Sequence, residues 1–397
     1  MRNNKNHKIM KSNILTLFIA LCAVGCAPQT AEVPASKKAI VMEELVFENQ
    51  LTRDCHASSL MELENGDLLC TWFGGTRESH PDVQIWLARK PIGGRWSDPM
   101  AVTKVEEGVE GSVFNPVLVQ LGGDTIQLFY LSPDINDGRV MTSCDGGKTW
   151  GPSSALDKEF TGPLVNKPLY LADGTILAGG SMEGGPGWRI HVERSEDKGK
   201  TWTRTPILND PAAFKLIQPT FLKHSEEKIQ LLARSGGKSP ETRIAQCWSE
   251  DGGRTWSEVT NTTLPNNNSA IDAVTLEDGR HLLIYNHSTR EDETCGRKGR
   301  GILTLAVTED GVNWEAVAVL EYRTGAVQYS YPSIIQTRDG LVHISYSWHR
   351  KRIKHVVIDP AKIQGVPIVE GVWPKEEMPW IISADSMAVN SGTEVKQ

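Results

Sequence analysis

Apolar positions along the chain fall into short β-branched-rich runs separated by tight polar turns. The stretch SSLMELENGDLLCTWF (58–73) sets the pattern, with one apolar run, a Gly-containing turn and a second apolar run. It returns as PVLVQLGGDTIQLFYL (116–131), PLYLADGTILAGG (168–180), PTFLKHSEEKIQLLAR (219–234), IDAVTLEDGRHLLIYN (271–286) and PSIIQTRDGLVHISYS (332–347). Each copy predicts two strands joined by a tight turn. Each is followed by an alternating strand, such as WRIHVERS (188–195) or RIAQCWS (243–249). No segment has the spacing of an amphipathic helix.

A second repeat runs out of phase with the first. Ser143-Cys-Asp145-Gly-Gly147-Lys-Thr-Trp150 recurs at Ser195–Trp202 and at Ser249–Trp256, in a shorter form at Thr308–Trp314, and in a worn form ending at Trp96. The tryptophans at 96, 150, 202, 256 and 314 are 54, 52, 54 and 58 residues apart. The motif has the chemistry of a hairpin turn. Asp accepts backbone N–H bonds, Gly supplies a positive φ, and Trp packs back on the hairpin. It is a structural staple, not a catalytic device.

Six units of about 52 residues and four strands predict an all-β fold, a six-bladed β-propeller over about residues 39–370. Residues 39–47, AIVMEELVF, would supply the missing outer strand of the last blade and so close the ring.

Composition narrows the class. Of 397 residues, 39% are hydrophobic and 23% charged, which excludes a disordered chain and a polytopic membrane protein. The net charge of −7 argues against a generic nucleic-acid binder while leaving room for local basic pockets. Residues 1–25 read as a secretory signal, with Arg2, Lys5, Lys8 and Lys11 ahead of an apolar stretch from Ile14 to Ala23. The Gly25-Cys26 ending resembles a bacterial lipobox, so Cys26 is expected to carry lipid. Residues 26–38 would then be a tether and 371–397 a tail. The expected location is the cell envelope. Cys55, Cys70, Cys144, Cys247 and Cys295 show neither disulfide nor metal spacing and read mostly as small buried residues.

The S-x-D-x-G-x-x-W repeat is the Asp-box of the sialidase (neuraminidase) family, which the chain resembles over roughly residues 40–360. In a propeller, residues just ahead of the innermost strands crowd one mouth of the central channel. Here they are His56, Asn115, Lys167, Gln218, Asn268 and Tyr331. Asn115, Lys167, Gln218 and Tyr331 precede Pro, which predicts an extended backbone there. A ring of dissimilar polar side chains suits a ligand site better than a core.

The resemblance implies a triad of Arg gripping a substrate carboxylate, a Tyr nucleophile with a Glu partner, and an Asp acid/base. Carried over, Tyr331 stands at the nucleophile's place, with Tyr329 as fallback, and Asp82 at the acid/base's. Arg234 stands at one triad position and Arg300 or Arg297 at another. Two positions depart. No Arg occurs at Cys55-His56-Ala57-Ser58, where Arg53 or Arg77 are the substitutes, and Gln218 occupies the place of the Glu. Arg77, Arg189, Arg234 and Arg350 lie on segments able to face the mouth, and Arg189, His191 and Glu193 share one strand face. Glu78, Glu183 and Asp272 are further carboxylate candidates, and Trp188 and Trp348 could stack on a sugar.

The expected activity is an exo-acting glycoside hydrolase releasing a terminal acidic sugar. His56, Arg77, Asn115, Lys167, Arg189, Gln218, Arg234 and Arg300 would bind substrate, and Tyr331 and Asp82 would catalyse. The alternatives are a lyase acting on a uronate, with His56 or Tyr331 as base, and a non-catalytic glycan-binding propeller. The expected partners are a glycan and, through lipid, a membrane, with the protein a monomer. No motif for a nucleotide, metal or nucleic acid appears, so no cofactor is expected.

Overall fold

The structure, a computed structural model, describes residues 39–103, 112–132 and 137–375. Cys26, the proposed signal and tether, and the tail beyond residue 375 lie outside them. Six antiparallel sheets follow one another along the chain and form the six-bladed propeller. Blade one holds Asp54–Glu62, Leu68–Gly75, Gln84–Lys90 and Met100–Ala101, and each later sheet starts from its own inner strand. Those inner strands are Phe114–Gly122, Leu169–Tyr170, Leu216–Lys223, Asp272–Thr275 and Tyr329–Gln336. Blade five gains a fifth strand from Val366–Pro367.

The ring closes where the sequence pattern predicts. Ile40–Leu45 pairs antiparallel with Arg352–Ile358 as the outer strand of blade six. Its Glu44 accepts hydrogen bonds from His355 Nδ1 at 2.8 Å and Trp96 Nε1 at 3.0 Å, and pairs with Lys90 at 2.8 Å. Lys90 and Trp96 belong to blade one, so one carboxylate ties the closing strand to both blades. Burial opposes its ionisation, but His355 and Lys90 outweigh burial and hold it at about 2.

Apolar residues pack between neighbouring blades. Leu69, Ile85 and Leu128 join blades one and two, and Leu305, Ile344 and Tyr346 join five and six. Between two and three, Val117, Val119 and Phe129 of blade two pack with Trp202 of blade three. The Asp-box turns behave as their chemistry predicts. Asp145 Oδ1 accepts the amides of Lys148 and Thr149 at 3.0 and 2.9 Å, and Ser143 Oγ accepts that of Gly147 at 2.8 Å. Asp197 and Asp251 repeat the arrangement. Neighbouring blades exploit the turns' free carbonyls. Arg194 donates to Gly252 at 2.6 Å and Gln230 to Gly311 at 2.9 Å.

The inner strands depart from the sequence expectation in one respect. Asn115, Gln218 and Tyr331 precede Pro yet are not extended. Their φ values are +51°, +56° and +54°. Ala57, Val165 and Asn268 do the same in blades one, three and five, at +52°, +66° and +62°. Proline disfavours only the right-handed helical region for its predecessor. The chain resolves that restriction with a left-handed residue and a register shift, seen between His56 and Ser59, Phe114 and Val117, Ile217 and Thr220, and Ser330 and Ser333. Such bulges re-aim side chains. Left-handed backbone at bulky residues such as Tyr331 is costly and clusters at functional sites.

Candidate active site

The left-handed residues of blades four, five and six, Gln218, Asn268 and Tyr331, meet at one point. Arg234, at the end of the second strand of blade four, reaches across them. Its Nη1 donates to the Tyr331 hydroxyl at 2.8 Å and to Gln218 Oε1 at 2.9 Å, and its Nε donates to Asn268 Oδ1 at 2.9 Å. Gln218 Nε2 lies 3.5 Å from the same hydroxyl. Arg300 donates through Nη2 to the Asn268 carbonyl at 2.9 Å, and its guanidinium sits 6.0 Å from the centre of the Tyr331 ring. Its Nε is buried without a partner. Burial first, then the charge of Arg234, hold Arg300 at about 10, below the usual range of a guanidinium.

A third guanidinium comes from blade six. The hairpin linking Val342–Trp348 to Arg352–Ile358 turns on His349 and Arg350, both with positive φ, at +55° and +58°. Two successive turn residues with positive φ are normally Asn-Gly. Here the strain is held by the Arg350 side chain, whose Nη2 meets Glu78 at 2.7 Å and whose Nε lies 3.3 Å from Asp54, and by its carbonyl, which accepts the Cys55 amide at 2.7 Å. His56 is buried against the Tyr331 ring at 4.2 Å, with Nδ1 2.8 Å from Ser347 Oγ. Burial, and then Arg350, Arg300 and Arg234, push its pKa well down, so the imidazole is neutral.

The cluster floors a cavity of about 910 Å³ lined by Arg77, Arg234, Arg290, Arg297, Lys298, Arg300, Arg323, Arg350 and Lys351, against Asp54 and Glu78 alone among acidic residues. In a chain of net charge −7, this is a concentrated positive site. Trp188 stands beside the Arg234 end of the cluster. It packs on Gly236, where a Cβ would come within 2.5 Å of its ring, and lies 5.7 Å from the Arg234 guanidinium. Glu183, just past Ile176–Met182, is half-buried. Its carboxyl is raised above its ordinary value by burial, an effect that Arg234 opposes and Glu78 reinforces.

Of the residues expected at the site, His56, Gln218, Arg234, Arg300 and Tyr331 are brought together, and Arg77 lines the cavity. Asn115 holds the blade-two place in the ring, with no hydrogen bond to the cluster among the described residues. Two expectations, Lys167 and Arg189, need correction. Lys167 does not face the mouth. It turns into the channel, where Nζ donates to both oxygens of Asp272 at 3.0 and 2.9 Å, because a buried carboxylate there demands a cation. Arg189 donates to the Gly187 carbonyl at 3.1 Å, within its own loop, and does not line the cavity. Asp82 closes the loop that carries Arg77 and Glu78. It accepts the Thr76 amide at 3.0 Å and the Thr76 hydroxyl at 2.6 Å, and pairs with His80 at 2.7 Å. Slight burial works against it, but the Thr76 and His80 bonds hold Asp82 below its ordinary value, which favours the ionised form over an acid. The His191 and Glu193 pair is wholly buried and bonded to itself and to Thr161 and Gly162. Arg350 went unassigned among four candidate arginines. The signal for it was a three-residue hairpin loop, His349-Arg350-Lys351, made without Asn or Gly.

The chain matches the BNR repeat-like domain family over residues 66–344. No curated protein matches it. Among solved structures it resembles a protein of unknown function from Dyadobacter fermentans, with 17% identity over 81% of this chain and 98% of that one and a TM-score of 0.65. It also resembles a Hadza microbial sialidase, with 18% identity over 81% and 69% of the two chains and a TM-score of 0.65. A third is the intramolecular trans-sialidase of Ruminococcus gnavus, with 13% identity over 82% and 99% and a TM-score of 0.62. At these identities the likeness is one of fold. The repeats, the closed ring and the family match agree that this chain belongs to the BNR repeat-like family and has the six-bladed propeller of the sialidases.

Proposed function

We propose that the protein is an exo-acting glycoside hydrolase of sialidase type that releases a terminal acidic sugar. The observation that carries this reading is the convergence of Arg234, Arg300 and Arg350 on one cavity beside Tyr331, whose lining holds nine cations against two acids. Planar guanidinium forks suit a carboxylate, and a Tyr nucleophile suits an anomeric carbon that itself bears one. Tyr331 oxygen attacks that carbon, the glycosidic C–O bond breaks, and Glu183 gives its proton to the leaving oxygen. Gln218 has no basic atom, so the Tyr331 proton passes to water in the open cavity. In the second half, water attacks, the Tyr331–carbon bond breaks, Glu183 takes the attacking water's proton, and the released Tyr331 oxygen regains its proton from water in the cavity. Glu183 is assigned this task because it lies near enough to Arg234 for their charges to interact and burial raises its carboxyl above its ordinary value, whereas Asp82 is engaged by Thr76 and His80.

A second reading is elimination from a uronate, favoured by Gln218 beside Tyr331 and by the neutral His56 against its ring. The purified protein incubated with sialosides, uronides and complex acidic glycans separates them. A free saturated acidic sugar supports hydrolysis, an unsaturated product absorbing in the ultraviolet supports the lyase, and saturable binding without turnover leaves a glycan-binding propeller. We propose further that Cys26 carries lipid and anchors the protein at the cell envelope. Cys26→Ser should then move the protein from the detergent phase to the aqueous phase, and unchanged partitioning would refute the anchor.

A further inference from the structure

In the proposed reading Arg234, Arg300 and Arg350 account for one substrate carboxylate, but the cavity carries more positive charge than that. Arg290, Arg297, Lys298, Arg323 and Lys351 line its outer part on the side of blades five and six. Among the described residues none of the five forms an ion pair, although ion pairs abound elsewhere on the molecule. They crowd one another. Arg290 is the foremost influence holding Lys298 below its ordinary value, ahead of burial and of Arg297 and Arg300. Like charges held together without counter-charge cost stability unless a ligand supplies it.

The loop presenting them is built, not slack. Asn267 Nδ2 donates to the Lys298 carbonyl at 3.2 Å, the Arg297 amide donates to the Val327 carbonyl at 3.0 Å, and Ser288 Oγ donates to the Gly299 carbonyl at 2.5 Å. At Gly299, φ is +71° and a Cβ would come within 2.3 Å of the Thr289 carbonyl, so only glycine permits this path. Lys298 itself holds a left-handed φ of +57°. A fixed, strained, basic loop beside a catalytic cluster is the construction of a ligand subsite. The cavity's volume of about 910 Å³ leaves room beyond a single sugar, since small-ligand sites run from about 300 to 1,000 Å³.

Resting on the proposed hydrolysis of an acidic sugar, we infer that the part of the glycan beyond the scissile bond also carries an anion. The substrate class is a glycan whose terminal acidic sugar is joined to a sugar bearing a sulfate or a second carboxylate, and the loop of Arg297 and Lys298 receives that group. The chemistry is charge-assisted hydrogen bonding from guanidinium and ammonium donors.

Titration calorimetry on the whole protein tests this without requiring turnover. Three disaccharides share one terminal acidic sugar and differ only in the second sugar, which is uncharged, sulfated or carboxylated. A methyl galactoside sulfate lacking the terminal sugar is the fourth ligand. The sulfated or carboxylated disaccharide should bind about tenfold more tightly than the uncharged one at low salt. The advantage should shrink at high salt. In the R297A/K298A double variant the ratio should fall towards one. A ratio near one in the wild type, or one that survives the double variant, overturns the inference. Whichever anion gives the advantage identifies its source. Sugar release is followed separately, so charge-dependent binding without release would fail the hydrolase reading and spare this one. Circular dichroism of the double variant shows that it has folded.

Discussion

The two charged clusters of the propeller's central channel make an instructive pair. Inside the channel, Lys167 meets Asp272, and Asp272 also accepts the Thr220 hydroxyl at 2.8 Å and the Ile334 amide at 2.9 Å. Blades three, four, five and six are thereby joined through one carboxylate, and the charge closes on itself. At the mouth, the hydrogen bonds seen for Arg234 and Arg300 among the described residues go to neutral groups, Gln218, Asn268 and Tyr331. Arg350 pairs there with Asp54 and Glu78. Both clusters take residues from several blades, and both lie near the axis. They differ in whether the charges balance. A buried cluster that neutralises itself is scaffold, while one with surplus charge and an unpartnered buried donor such as Arg300 Nε calls for a ligand.

The sharpest test of the mouth is Tyr331→Phe. Turnover of an acidic glycoside should fall to background with ligand affinity largely kept, because the ring remains and only the attacking oxygen is lost. Full activity in this variant would end the assignment of a nucleophile at the arginine end.

Glu183→Gln should lower kcat by about 10²–10⁴-fold, the usual share of a general acid, and least for leaving groups that need no proton. Asp82→Asn should change kcat by less than about tenfold. The pH profile carries the same distinction. A general acid works while protonated, so kcat should fall as pH rises through the raised Glu183 value, and Glu183→Gln should remove that falling limb. An acid at Asp82, which is held below its ordinary value, would lose activity at lower pH. Reversal of the two variants would return the role to Asp82.

Stability separates the clusters in opposite directions. Lys167→Ala leaves Asp272 buried and unpaired and should destabilise folding by about 3 kcal/mol. Arg300→Ala removes a crowded cation and should leave the ligand-free protein as stable as before, or slightly more so, while weakening binding of acidic sugars. Chemical denaturation of both variants, with binding measured on the folded protein, reads this out. Equal losses of stability would mean that the arginine end is also scaffold.

The sequence pattern made the blades, the closing strand and the Asp-box turns legible because each rests on contacts local in the chain or repeated six times. Tyr331, Arg234 and Arg300 were legible through the family resemblance. What escaped depends on contacts across the channel. Alternation shows which face of a strand a side chain takes, but not which distant blade supplies its partner. Lys167 and Asp272 are 105 residues apart, and Arg350 and Glu78 are 272 apart. The left-handed backbone at Gln218 and Tyr331 was hidden for a different reason. The pre-proline rule removes one region of backbone space, and the bulge, a matter of strand pairing, decides between those that remain.

Gln218 is the place where the smallest change should bear on the comparison. Its Oε1 accepts from Arg234 and its Nε2 faces the Tyr331 hydroxyl. Gln218→Glu would add a carboxylate to the mouth and bring its charge nearer to the balance found around Asp272. It would also give Tyr331 a basic neighbour. These effects oppose each other in catalysis: the new charge competes with the substrate carboxylate for Arg234 and raises KM, while the base assists Tyr331 and keeps or raises kcat. The expected result is a modest rise in KM, kcat on sialosides kept or increased, and a ligand-free protein somewhat more resistant to heat. A fall in kcat with KM unchanged would mean that Tyr331 does not use this neighbour, and that Gln218 serves to hold Arg234 in place through its neutral amide.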